Sequence, residues 1–204
     1  MKNQFFLKRA VVVLLPLAVI FFVAAGGSDT PSNKTFAWSM ALQNIKTGEL
    51  LPLSAPIKSS TGDKFRLLIK PSAGCYCYVI AEDSSGDDAL VIQAGALKGG
   101  EDWLSPDLVL SPPKGSISLF VVTSSDEQTS LSQKISAYKA NSGASQRRAM
   151  MNEVFRLRSE VSQFKETPEK PVLMGGAARG SAGMDKGVEY SGLETYVKTI
   201  SLEH

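Results

Sequence analysis

The sequence predicts a mainly β protein of the α+β class: an antiparallel β-sandwich with a two-helix insertion before its last strand. Period-two hydrophobic runs fill residues 35 to 123 and are cut by Gly, Pro and Asp turns, the pattern of several short paired strands. After Asp126 the period becomes helical and stays so to about residue 166. From Leu193 to Leu202 period two returns, so a final strand closes the sheet from the far end of the chain.

Phe36, Trp38, Met40 and Leu42 alternate with Ala37, Ser39 and Ala41, which marks a half-buried first strand. Lys46, Thr47 and Gly48 then turn the chain. Residues 50 to 57 are apolar but carry Pro52 and Pro56, which cannot donate to a ladder; they make an edge strand or an extended loop. Thr61, Gly62 and Asp63 lead into Lys64 to Lys70, where Phe65, Leu67 and Ile69 share a face. Cys75 to Ala81 is the richest strand pattern, followed by a hairpin loop at Asp83 to Asp88 and a strand from Ala89 to Gln93. Leu108 to Leu110 is short, and the turn at Pro112 to Gly115 opens the strong strand Ser116 to Thr123.

The first helix is expected over about residues 130–140. Ser130 and Gln133 have capping-box spacing, and Leu131, Ile135 and Tyr138 share a face. Asn141, Ser142 and Gly143 break it, and a second helix runs over about 145–166. Met150, Val154, Leu157, Val161 and Phe164 step by four and three, which makes one apolar stripe. That stripe either packs on the protein's own sheet or pairs with a partner protein, and it is the candidate interaction surface. It spans about two heptads, short of a coiled coil. Thr167 to Pro171 ends the helix, and residues 174–192 read as a Gly-rich loop.

Residues 1–25 have the layout of a signal peptide. Lys2, Lys8 and Arg9 precede the sixteen uncharged residues Ala10 to Ala25, and Val23 and Ala25 fit a cut after Ala25. An uncleaved N-terminal membrane anchor over residues 10–25 is the other reading, although sixteen residues are short of the usual span and contain Pro16. Either way the remainder is exported, with the positive end left in the cytoplasm. The expected location is therefore periplasmic or otherwise exported, with contact to the inner membrane only through an uncleaved leader. Residues 28–34 are a polar linker, and residues 35–204 are long enough for a single domain with its own core.

The formal net charge is +2, but Lys2, Lys8 and Arg9 belong to the leader. Without them nineteen basic residues face twenty acidic ones, which offers no basic face for nucleic acid. The single His is His204, the last residue, so a Ser-His or Cys-His nucleophilic site is not expected. Leu202 to His204 is either a native strand end or the start of a tag. Cys75 and Cys77, at i and i+2 of a strand, face the same way and are poorly placed to bridge each other. They read as small core residues, with a reactive or intermolecular thiol as the alternative. No further Cys or His completes a soft metal shell. The acidic loop Asp83 to Asp88 lacks the EF-hand spacing, since Gly86 is fourth from Asp83 and Ala94 is twelfth. Gly175 to Gly187 lacks the Gly-Lys-Ser/Thr of a phosphate loop. No catalytic residue, metal site or cofactor is expected.

Thr61-Gly62-Asp63-Lys64-Phe65-Arg66-Leu67, then Gly74 to Ile80, then Asp83 and Gly86, and Leu110 to Gly115 followed by Ile117 to Val122, together resemble the bacterial domain-of-unknown-function family 4384. The likeness covers roughly residues 36 to 125 and departs at Cys75 and Cys77, where the family carries apolar residues. The helical tail and the terminal Tyr196 to His204 strand also look like secreted members. The resemblance implies an exported β-domain with no established enzymatic residues. The expected function is a non-enzymatic envelope protein, acting as a protein-interaction or structural module with an envelope protein as partner. A periplasmic glycan- or peptide-binding module is the alternative, and a hydrolase the weakest one.

Overall fold

Period-two alternation becomes two facing sheets. The computed structural model describes residues 35–53, 56–112, 114–161, 171–172 and 187–204. In chain order the elements are β1 (Thr35–Asn44), β2 (Leu50–Leu51), β3 (Ile57–Lys58), β4 (Lys64–Pro71), β5 (Cys75–Asp83), β6 (Ala89–Leu97), β7 (Trp103–Leu104), β8 (Leu108–Val109), β9 (Ser116–Ser124), α1 (Thr129–Ala140), α2 (Ala144–Val161), β10 (Pro171–Val172), β11 (Gly187–Leu193) and β12 (Thr195–Glu203). The leader, the linker at 28–34, Phe164 and residues 173–186 lie outside the described residues.

The first sheet has the order β10-β11-β1-β4-β7, with β2 on β1 and β8 on β4. The second has the order β3-β12-β9-β5-β6, antiparallel except where β3 runs parallel to β12. The inner faces meet in one core. Phe36, Trp38, Met40 and Leu42 from β1, and Phe65, Leu67 and Ile69 from β4, pack against Cys75, Cys77 and Val79 of β5, Leu119 and Val121 of β9, and Tyr196, Ile200 and Leu202 of β12.

The outer face of the second sheet is also apolar. Tyr78 and Ile80 of β5, Phe120 and Val122 of β9, and Val197 of β12 pack against Leu131, Ile135 and Tyr138 of α1 and Met150, Met151, Val154 and Leu157 of α2. The result is three layers: sheet, sheet, helices. The two helices precede the last strand, with β10 and β11 between them and it.

Three local expectations are corrected. Residues 187–192 of the expected Gly-rich loop belong to strand β11 (Gly187–Leu193), whose Val188 to Leu193 are in register with Met40 to Thr35 of β1. Its glycines mask a strand whose pairing and whose buried Tyr190 come from β1 and the core, not from local propensity. The capping box at Ser130 does not form. The N-cap of α1 is Gln128, with no side-chain cap, and the Tyr78 hydroxyl accepts the Gln128 backbone N–H at 3.1 Å. A residue of the sheet thus starts the helix. Finally, β6 continues four residues past Gln93, to Leu97.

Polar contacts fix where the helices sit. The Tyr78 hydroxyl also pairs with Ser132 Oγ at 3.0 Å, and the Tyr138 hydroxyl donates to the Ala89 carbonyl at 2.7 Å. Glu153 of α2 is only 5% exposed and lies between Lys134 of α1 and Arg156 of α2. Arg156 Nη2 reaches Glu153 Oε1 at 2.7 Å, and Lys134 Nζ meets Oε2. The Arg156 hydrogen bond holds the carboxyl down, from the ordinary 4.5 to about 2, with Lys134 and Ser130 helping and burial opposing. At the sheet-to-sheet crossing, Glu194 adopts φ of 56°, and its carbonyl accepts from Ser124 Oγ at 2.8 Å and Ser125 N at 2.9 Å. Those bonds hold a conformation that costs a non-glycine residue on the order of 1 kcal/mol.

A carboxyl whose folded pKa is depressed contributes stability above its unfolded pKa and loses it as pH falls through the folded value. For Glu153 the window runs from about 4.5 down to about 2. Glu153→Gln is expected to lower stability at neutral pH by about 2 kcal/mol, given that both cations are partly solvated. It should also flatten the acid limb of the stability curve across that window. Denaturant melts of both proteins over that pH range check this; an unchanged acid limb would refute the role given to Glu153.

Candidate functional site

Among the described residues, the edges of the two sheets differ sharply. β3, β7, β8 and β10 are each two residues long, and β10 begins with Pro171. Short edges and edge prolines keep other chains from pairing. β10 and β3 cover only two residues each of β11 and β12, whose remaining edges carry Glu189 and Lys198. β6 differs from all of these. It is nine residues long, Ala-Leu-Val-Ile-Gln-Ala-Gly-Ala-Leu, without a charge or a proline. It pairs with β5 alone. Its first residue, Ala89, is engaged through its carbonyl to Tyr138 and its N–H to Asp88 at 2.8 Å. From Leu90 to Leu97 the backbone makes ladder bonds to β5 only. Leu90 is 61% exposed, Ala96 is exposed, and Val91 to Gly95 are half-buried.

One irregularity interrupts the strand. Val79 opposes Gln93 while Ile80 opposes Val91, so Ile92 is an extra residue on β6. Ile92 packs toward the inter-sheet core, whereas Val91 and Ala94 pack toward the helices. The bulge therefore bends the edge and shifts its alternation by one residue.

Both ends of β6 are held. At its start, the Asp83 carboxylate accepts from Ser85 Oγ at 2.8 Å and from the Asp87 N–H at 3.2 Å. Ser85 foremost, then these backbone donors, holds the Asp83 carboxyl below its usual range. The acidic loop is thus closed on itself, and no group of three or more Cys, His, Asp or Glu among the described residues could hold a metal ion. At the far end, Gly100 N–H donates to the Pro71 carbonyl at 2.7 Å. Gly99 lies so close to Ala73 that an added Cβ would stand 2.7 Å from its backbone. Lys98, between β6 and that turn, is solvated and makes a 3.5 Å ion pair with Glu101.

No protein-family model, no curated protein and no solved structure matches the chain.

The helical stripe singled out by sequence is turned inward. Met150, Val154 and Leu157 are buried against the second sheet, Val161 is half-buried, and Phe164 is outside the described residues. The apolar residue that α2 shows to solvent is Phe155, 43% exposed, with its ring edge-on to Phe120 at 5.5 Å. Three of the aromatics are turned inward as well. Trp38, Tyr190 and Tyr196 are buried inside the sandwich, where Trp38 stacks on Tyr190 and Tyr196 meets both rings at a tilt.

Cys75 and Cys77 are unpaired and buried on the core face of β5. Burial pushes both thiols up, and for Cys77 the neighbouring Cys75 adds to it. Neither is poised as a thiolate nucleophile. His204 is held more firmly than a chain end suggests. Its backbone exchanges two hydrogen bonds with Gly115, at 2.9 and 3.0 Å, and its Nδ1 lies 3.3 Å from Thr61 Oγ1. It lines an open, shallow cleft with Lys58, Ser59, Ser84, Gly115, Ser116 and Glu203. The hydroxyl that meets the imidazole is Thr61, at the exposed rim, and among the described residues no carboxylate is bonded to the ring's other nitrogen. That arrangement lacks the orienting third group of a nucleophilic site.

The sequence reading missed the open edge. The signal was present as an uncharged run that extends past Gln93, but Gly95 and the bulge at Ile92 break the alternation that marks a strand.

Two outcomes follow from this placement. Leu157→Asp puts a carboxylate into the helix–sheet core, at a cost on the order of 4 kcal/mol. The thermal midpoint should fall by roughly 10 °C, and proteolysis should become fast; a variant with the wild-type midpoint would free the stripe for a partner. Both cysteines should resist iodoacetamide in the native protein and react fully after denaturation. Cys75→Ala and Cys77→Ala should each cost at most about 2 kcal/mol. Rapid native labelling would assign them a thiol role.

Proposed function

We propose that this chain is an exported, non-enzymatic envelope protein whose β-domain binds a protein partner by strand addition at β6. The observation that carries the reading is the open nine-residue edge of β6, apolar and uncharged along its whole length, where the uncovered stretches of β11 and β12 carry Glu189 and Lys198 and the remaining edge strands are two residues long. An incoming extended segment would take its affinity from main-chain hydrogen bonds and its selectivity from alternate side chains. The exported location rests on the leader, residues 1–25, read as a signal peptide or anchor. None of the described helices is long and apolar enough to cross a membrane. The non-enzymatic reading rests on buried, raised thiols and on a histidine whose partner is a threonine.

Glycan binding is less well supported. Sugars are held on exposed aromatic faces, and Trp38, Tyr190 and Tyr196 are committed to the core. A peptide remains compatible, because an extended peptide is the ligand that strand addition takes.

Lysine on an edge strand is the natural block to pairing. The Leu90→Lys, Ala96→Lys double variant changes two exposed side chains, so its thermal midpoint should stay within about 3 °C of wild type. Affinity purification from the native envelope with mass spectrometry should recover a partner with the wild type and lose it with the variant. Equal recovery by both would remove β6 as the binding edge.

A further inference from the structure

We propose that the strand taken up by β6 is β6 of a second copy of this chain, joined about a two-fold axis. This rests on the strand-addition reading and names its partner. Antiparallel pairing of one strand with itself is isologous, so it closes at two copies. It also requires that the strand be complementary to its own reverse, and β6 is.

The bulge decides the register. Ile92 and Gln93 follow one another without the usual change of face: Ile92 packs on the inter-sheet core, and Gln93 opposes Val79, which packs there too. Side chains paired across an antiparallel ladder lie on the same face. Matching faces then puts the axis at Ala94. Leu90 of one copy falls opposite Leu97 of the other, and Val91 opposite Ala96. The Ile92–Gln93 bulge falls opposite Gly95, a residue with φ of 140° and open space where a Cβ would stand. Every paired position is apolar or glycine apart from Gln93, so no like charges meet.

The ends complete the match. In this register the Asp87–Asp88 end of one β6 lies beside Lys98 of the other, twice over by symmetry. Both ends are preset, by the closed Asp83 loop and by the Gly99 turn against Ala73. The apolar centre supplies the attraction, and the opposite charges select antiparallel over parallel pairing, which would bring Lys98 to Lys98. A single strand pair buries a small interface, so the equilibrium belongs in the micromolar range.

Sedimentation equilibrium of the purified protein tests this, with Asp88→Lys, Lys98→Asp and the double exchange. Wild type should show a monomer–dimer equilibrium. Each single reversal should weaken it about tenfold, since two symmetric pairs change sign. The double exchange should restore it to within about threefold. A wild type that stays monomeric, reversals without effect, or a double exchange without rescue would each overturn self-pairing. If wild type is monomeric while Leu90→Lys, Ala96→Lys still loses an envelope partner, strand addition stands with a different occupant. If neither effect is seen, both readings fall.

Discussion

The architecture depends on a property of two neighbouring strands. β5 and β9 are apolar on both faces: Cys75, Cys77, Val79, Leu119 and Val121 point one way, and Tyr78, Ile80, Phe120 and Val122 the other. A sheet with one apolar face needs one cover, and a sheet with two needs two. The first sheet supplies one and the helix pair the other. The helices are therefore a layer that the second sheet requires, and they enter the chain directly after β9, where the uncovered face begins.

Apolar burial is non-directional, so it leaves the position of that second cover loosely specified. Directional contacts narrow it. The Tyr78 hydroxyl, from the sheet, takes the N–H of Gln128 at the N-cap of α1, and the Tyr138 hydroxyl, from α1, donates back to the sheet at Ala89. Glu153 then ties α2 to α1 through Lys134. A lone buried carboxylate would be expensive, but this one has two cations and several donors. Its ionised form belongs to the assembled helix pair, which is why stability there is linked to acid pH.

Much of this was legible in the sequence. The alternation in Phe36 to Leu42, Phe65 to Ile69 and Cys75 to Ala81 located strands because each has at least one buried face. The step of four and three in α2 located its buried stripe for the same reason. Boundaries and partners were less legible. The stretch 187–192 reads as a loop because its glycines carry no pattern, yet β1 supplies both its hydrogen bonds and the cover for Tyr190. The start of α1 reads as a capping box at Ser130 because the true donor's partner, Tyr78, is fifty residues away along the chain. The edge status of β6 depends on strand order, which single-chain periodicity does not encode.

Strand order also explains what β6 can accept. The second sheet places β9 and β5 towards its centre and leaves β3 and β6 at its edges, one of two residues and one of nine. A strand added beyond β6 extends both layers at once. One of its faces continues the inter-sheet core, and the other continues the surface beneath α1. Such a strand must be apolar on both faces, as β5 is, and must carry no charge along its length. It must also be accommodated at the Ile92 bulge, where the two-to-one spacing asks for a residue without a bulky side chain opposite. β6 meets these demands itself. In the self-paired register proposed above Gly95 would face the bulge, and the residues that flank the strand, Asp88 and Lys98, carry opposite charges at opposite ends. An edge built in this way is selective: a strand with alternating charges would have to desolvate them against Val91 or Ile92, at a cost that the ladder bonds would not offset.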